Sequence, residues 1–336
     1  MRVSAVGGRA VRGATALVVI ASVSFLGPVR QADSASDPGF VTIQFGRTQW
    51  TTGKNCTPLP KTVDLGVVAD AMAARGLVGT GGVVLDRTPE TGLRCFHGYA
   101  LHAGWDWMHR MQEERGWSFV SQSRTYARMP ELSYEQQVAE SCGTLGDFAA
   151  HDIRHADALF AYPANKWTTE IQSDPVSRCF SYGRRYRSHA PNLRSAMIAP
   201  WFANTTSVSG GRCSNPSLPC HTRTGTAGQT TAGYTSPSII GSEMRVAPDT
   251  WYSVQFYRFV MGAFQNNTFG WDCRGSDWRN HWTSNGELYC WNDAVRILNA
   301  AAAARKDGVV FAGPYEVALA WRKVPRTPSP LNTGSS

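Results

Sequence analysis

GWDWMHRMQEERGWSFVSQS, residues Gly104–Ser123, holds two different elements in one short stretch. The first part, Trp105–Arg115, reads as a helix, and Gly116 is the stop that glycine supplies just beyond a last turn. The second part, Trp117–Ser121, is an apolar, aromatic run that reads as a strand. A helix leading directly into a strand is the repeating half of a parallel sheet, because parallel neighbours need a crossover between them.

The same alternation runs outward in both directions. Upstream, Val41–Phe45 (VTIQF) reads as a strand, and Asp64–Arg75 has helical spacing, with Leu65, Val68, Ala69 and Met72 on one face and Gly76 as the stop. Val78–Leu85 (VGTGGVVL) is a further strand. Downstream, Ser133 opens a helix as its N-cap, Gln136 completes a capping box, and the apolar spacing carries on to about Phe148. Ala158–Tyr162 is a strand closed by Pro163; Cys179–Tyr182, Ala196–Trp201 and Trp251–Val260 are further strands, and Asn292–Lys306 is an Ala-rich helix. Alternation of this kind predicts an α/β protein with a parallel sheet or barrel. Residues 203–242 break the rhythm: rich in Gly, Ser, Thr and Pro, they carry no periodic apolar face and read as an insertion.

Composition limits the classes of function. The chain has 336 residues, 42% hydrophobic and 17% charged, with 12 Trp, 11 Tyr and 14 Phe, an aromatic load foreign to disorder. Arg2, Arg9 and Arg12 precede the apolar run Ala14–Gly27, which is too short to span a membrane and reads as a secretory signal over residues 1–35. Losing that segment removes four arginines and one aspartate, so the formal charge of +8 falls to +5, with 29 basic and 24 acidic groups left. Neither a Lys/Arg run nor a recognition-helix pattern remains, which argues against a nucleic-acid partner. Export also accounts for the eight cysteines, at 56, 95, 142, 179, 213, 220, 273 and 290: even in number and without a Cys-x-x-Cys pair, they read as disulfides rather than zinc ligands. Cys213–Cys220 and Cys273–Cys290 close the shortest loops. The expected organisation is a signal over 1–35, one domain over 36–325 and a short tail over 326–336.

Taken in order, VTIQF, VGTGGVV, Gly104–Ser123, the PELSYEQQVAE helix start and LFAYP resemble the NodB-homology polysaccharide deacetylases. Cys179–Arg185 (CFSYGRR) and Gly313–Trp321 (GPYEVALAW) extend the resemblance over roughly 40–323. It implies a single-domain irregular (β/α) barrel, disulfide-linked here, and removal of acetyl groups from chitin, peptidoglycan or related glycans. The family's chemistry uses zinc or another divalent ion held by an Asp and two His, with a second Asp as base. Here the matching positions depart from that pattern. Phe45 is followed by Gly46 and Arg47 where the resemblance implies Asp-Asp, Gln122 and Tyr126 stand for the His pair, and Tyr257 stands for a late His. Only Tyr162-Pro163 keeps its pattern.

Neutral Gln and Tyr are poor zinc ligands and a guanidinium repels a divalent ion, so no cofactor and no catalytic residue are expected. Arg47, Gln122, Tyr126, Tyr162 and Tyr257 instead offer hydrogen bonds and aromatic faces to sugars, which points to a secreted, catalytically degenerate barrel that binds a glycan or cell-wall polysaccharide. The rival reading is an active carbohydrate deacetylase with substituted site residues, for instance His97, His102 or His109. His102, Asp106 and His109 have spacing that fits one helical face. His151-Asp152-Ile153-Arg154-His155 imitates a zincin pair, with the wrong acid and no third ligand. Trp278, Trp282 and Trp291 suit either a sugar groove or a core, and Asn204 and Asn266-Asn267 head glycosylation sequons.

Overall fold

The computed structural model describes residues 36–54, 56–96, 100–187, 189–197, 201–208, 234–265, 270–277, 281–283 and 287–323. Seven strands form its centre: β1 (Phe40–Phe45), β2 (Gly79–Val83), β3 (Ser118–Ser121), β4 (Leu159–Ala161), β5 (Tyr182–Tyr186), β6 (Phe202–Ser207) and β7 (Thr250–Phe256). Each is parallel to the next. β7 returns to β1 in parallel register from Phe40↔Trp251 to Phe45↔Phe256, which closes the sheet. The protein is therefore an α/β barrel, and closure leaves these strands without an open edge.

Alternation along β1 sorts two cores. Val41, Ile43 and Phe45 face outward into a layer containing Met72 of α1 (Leu65–Ala73), Trp107 of α2 (Trp105–Arg115) and Ile297 of the helix Trp291–Lys306. Phe40 instead joins Tyr182, Trp251, Val317 and Trp321, an aromatic floor at the N-terminal ends of the strands. Above this floor the lumen turns polar. Gln44 of β1 donates to Ser253 Oγ of β7 at 2.7 Å, and Thr205 of β6 donates to the same oxygen at 3.0 Å. A lumen of this composition leaves the opposite, C-terminal mouth as the place where polar side chains gather.

Several elements differ from the expectations. The helix opened by Ser133 has both arms of its capping box, but it ends at Glu140 and resumes as Leu145–Ala150. Ser141 breaks it, at φ −106° and ψ −87°, where Cys142 is tied to Cys179. Cys179–Tyr182 is not one strand: Ser177–Cys179 is a helical turn, held by that disulfide, and β5 begins at Tyr182. The strand expected at Ala196–Trp201 is displaced to β6, since Arg194–Ala196 forms a 3-10 turn. Trp251–Val260 is interrupted at Tyr257, between β7 and the short strand Arg258–Val260. The stretch expected as an insertion over 203–242 holds regular structure at both ends. β6 uses up Phe202–Ser207 because a strand lining a polar lumen needs no apolar face, and Pro237–Glu243 is a helix. Residues 209–233 lie outside the described residues, as do 1–35 and 324–336.

Among the described residues three disulfides are formed, Cys56–Cys95, Cys142–Cys179 and Cys273–Cys290. Such bonds persist in oxidising compartments. Cys213 and Cys220 lie outside the described residues. Among the described residues no helix is long and apolar enough to cross a membrane.

Candidate functional site

The site is built at the C-terminal end of β1, where the chain turns sharply. Gly46–Thr48 forms a 3-10 turn with Arg47 at φ 61° and Thr48 at φ 43°. A β-branched residue in the left-handed region is strained, and such strain collects at functional sites. Glycine is required at 46 for a different reason. A Cβ there would lie 2.5 Å from Gln255 Nε2 and 2.6 Å from the Tyr257 ring. On the adjacent strand, a Cβ on Gly82 of β2 would lie 2.8 Å from Gln122 Oε1. With that space open, Gln122 accepts a hydrogen bond from the Arg47 N–H at 3.0 Å.

The Arg47 guanidinium is then enclosed. Its carbon sits 5.3 Å from the centre of the Tyr126 ring and 5.4 Å from that of Tyr257, within cation–π range of both. Its NH2 group is ion-paired with Glu287. Arg258, from the strand next in line after Tyr257, holds the other oxygen of Glu287 at 2.9 Å. Burial acts to raise the Glu287 carboxyl, but the two guanidiniums outweigh it and hold the group below its ordinary value. Burial likewise pulls Arg47 down, and Glu287 reverses the shift.

The mouth continues inward through Tyr257. Its hydroxyl shares a short hydrogen bond with that of Tyr186, and Arg184 donates to Tyr186 Oη at 3.2 Å. Burial drives the Tyr257 hydroxyl well above its usual value, so it stays a neutral donor. On the rim, His102 is fully buried, and its Nδ1–H donates to the Arg47 carbonyl at 2.8 Å. Desolvation lowers its pKa to about 4, helped by the charges of Arg87, Arg47 and Arg258, so the ring is neutral near pH 7. Its Nε2 is buried without a hydrogen-bond partner.

Gly46, Arg47, Gln122, Tyr126 and Tyr257, spread over more than two hundred positions, therefore meet at one mouth. Tyr162 does not join them. Its ring is buried against Phe160, and its hydroxyl donates to Gln172 Oε1 at 2.6 Å. His151 and His155 also part company: His151 bonds Glu90 at 2.9 Å, while His155 stacks on Tyr315. The shared helical face expected of His102, Asp106 and His109 is absent, because His102 belongs to the strand Ala100–Ala103 and α2 starts only at Trp105. His97 and Trp278 lie outside the described residues, and Trp291 packs edge-on against Phe259 in the core.

Five participants were not singled out from sequence: Glu287, Arg258, Arg184, Tyr186 and Gln255. Arg258 was visible only as the neighbour of Tyr257. Glu287 left no signal at all, because it arrives through the pairing of Leu288–Cys290 with Arg258–Val260.

The donor set does not suit a divalent cation. The Gln122 oxygen is engaged by a backbone N–H, Glu287, which pairs with Arg47, is bound by two guanidiniums, and His102 is a single imidazole. The one His/Cys/acid cluster among the described residues, His281, Cys290 and Asp293, is buried elsewhere, and Cys290 is already bonded to Cys273.

No family model matches this sequence, and no curated protein does. Among solved structures, the Xyl-CE4 domain of a multidomain xylanase from the hindgut metagenome of Trinervitermes trinervoides is similar over 82% of this chain and 87% of that one. Sequence identity is 11% and the TM-score is 0.39, too loose a likeness to bear on activity.

Proposed function

We propose that this is an exported protein of polysaccharide deacetylase type, one domain after loss of residues 1–35, whose barrel mouth binds a glycan without cutting it. One observation carries the reading: Arg47 fills the end of β1, clasped by Tyr126, Tyr257 and Glu287, where metal chemistry needs carboxylates. Without a bound metal to lower its pKa, water stays a very weak acid and a metal-dependent amide hydrolysis lacks its hydroxide nucleophile. Tyrosine faces and Gln, Arg and Tyr donors are the groups that stack on pyranose rings and bond hydroxyls.

The test combines metal content, acetate release and adsorption. The purified protein is expected to hold no stoichiometric zinc, to release no acetate from chitin oligosaccharides, and to co-sediment with insoluble chitin or cell wall. Stoichiometric zinc together with acetate release would overturn the reading. The double variant Gln122→His, Tyr126→His is expected to gain no metal, since Arg47 still occupies the mouth and Gly46 has no room for a carboxylate. One observation favours the rival, an active deacetylase with substituted residues: the neutral His102 has an uncommitted Nε2. That reading requires acetate release that disappears in His102→Gln.

A further inference from the structure

Arg184 is 2% exposed inside the barrel, flanked in register by Ala161 of β4 and Ala203 of β6, whose small side chains leave it room. It reaches across the lumen to strands that are not its neighbours, donating to Gln255 Oε1 of β7 and, at 3.4 Å, to Gln44 Oε1 of β1. Its remaining partner is the Tyr186 hydroxyl. All three are neutral, and among the described residues Arg184 makes no ion pair. A buried guanidinium without a counter-charge is a costly arrangement, so its retention calls for an anion that completes it.

The same chain of contacts leads outward to more positive charge. Tyr186 touches Tyr257, Tyr257 underlies Arg47, and Arg47 shares Glu287 with Arg258. Among the described residues, three guanidiniums in this connected group thus accompany one carboxylate. Two buried donors along it are unused, Nε of Arg47 and Nε2 of Gln255, the latter packed against Gly46. Guanidinium is the group best matched to carboxylate and phosphate, and amide and phenol donors complete such sites.

From this charge imbalance we propose that the ligand of the mouth is an acidic saccharide, one bearing an oxyanion as the carboxylate of a uronic acid or as a sugar phosphate. The proposal rests on the glycan-binding reading above and narrows it.

Calorimetry on the full exported chain tests it with four probes: trigalacturonate, its carboxyl-reduced trisaccharide, trimannose carrying a terminal 6-phosphate, and unmodified trimannose. At least one acidic probe is expected to bind about tenfold or more tighter than its neutral counterpart, and the preference shrinks as salt is raised. Which acidic probe binds identifies the source of the oxyanion. Arg184→Gln is expected to lose the preference; because the ligand pairs are compared on the native protein, the result stands even if that variant does not fold. Equal binding of acidic and neutral probes would overturn the acidic-ligand proposal and leave glycan binding intact. Binding of none of the four, with co-sedimentation on chitin or cell wall retained, would overturn the acidic-ligand proposal alone; loss of that co-sedimentation as well would overturn both.

Discussion

His102 shows how a single side chain at the mouth sets a pH dependence for the whole fold. Its folded pKa is lowered to about 4 by burial and by three nearby arginines, against about 6.5 in an unfolded chain. A base with a depressed folded pKa gives its full stability above the unfolded value, and that stability is lost as pH falls from about 6.5 towards 4, because the unfolded chain takes up the proton first. The loss is of order 3 kcal/mol. Denaturant titrations at pH 4.5 and 7 are expected to show it in the parent and not in His102→Gln; an unchanged difference in that variant would assign the pH dependence to other groups. Glu287 acts in the same direction lower down: its depressed folded value means that its contribution is present above the usual carboxylate range and is lost as pH falls through it. Gly46, Arg47, Gln122, Tyr126 and Tyr257 could be picked out as candidates from sequence, since each lies in or soon after a recognisable strand. The sequence could not show what balances Arg47, because Glu287 belongs to no motif and is brought in by a strand pairing remote from β1.

Among the elements, the helix Tyr134–Glu140 does more than cover the barrel. Its last residue, Glu140, is buried and accepts from the Thr125 N–H at 2.9 Å and from Thr125 Oγ1 at 2.7 Å. Tyr126, at φ 71°, follows directly, its N–H donating to Ser123 Oγ at 2.9 Å. The helix end therefore positions the loop that lays Tyr126 over Arg47. The two ends of this short helix should differ in what they control. Ser133→Ala removes an exposed cap, which costs about 1 kcal/mol and leaves glycan binding unchanged. Glu140→Ala strips two charge-assisted bonds from the loop, a loss of about 2–3 kcal/mol, and is expected to weaken binding as well. Equal binding by the two variants would remove Glu140 from any positioning role. The cap was legible because Ser133 and Gln136 are a local signal. The break at Ser141 was not, because the apolar spacing runs straight through it and the interruption comes from a disulfide to a residue far along the chain.

At the scale of the whole molecule, the barrel has a wet end and a dry end, and closure is what separates them. The strand–helix rhythm of the sequence is enough for an α/β protein but not for closure, which depends on β1 meeting β7 across some two hundred residues with no local trace. The dry end is sealed by Trp321, 2% exposed, with its ring edge-on to Phe40 at 6.5 Å and to Trp251 at 6.1 Å. Removing a buried indole forfeits its transfer energy and leaves a cavity that a closed barrel has little freedom to collapse. Trp321→Ala should therefore cost about 3–5 kcal/mol and lower Tm by about 10 °C, while Leu319→Ala, at a site 56% exposed on the helix Pro314–Ala320 that Trp321 caps, should stay within about 1 kcal/mol of the parent. Because the polar layer of Gln44, Ser253 and Thr205 lies between this floor and Arg47, the loss should stay at the dry end. Binding measured well below the lowered Tm should match the parent. If Trp321→Ala weakened glycan binding at such a temperature, the two ends of the barrel would be mechanically coupled, and the mouth could no longer be treated as a site set by its own residues.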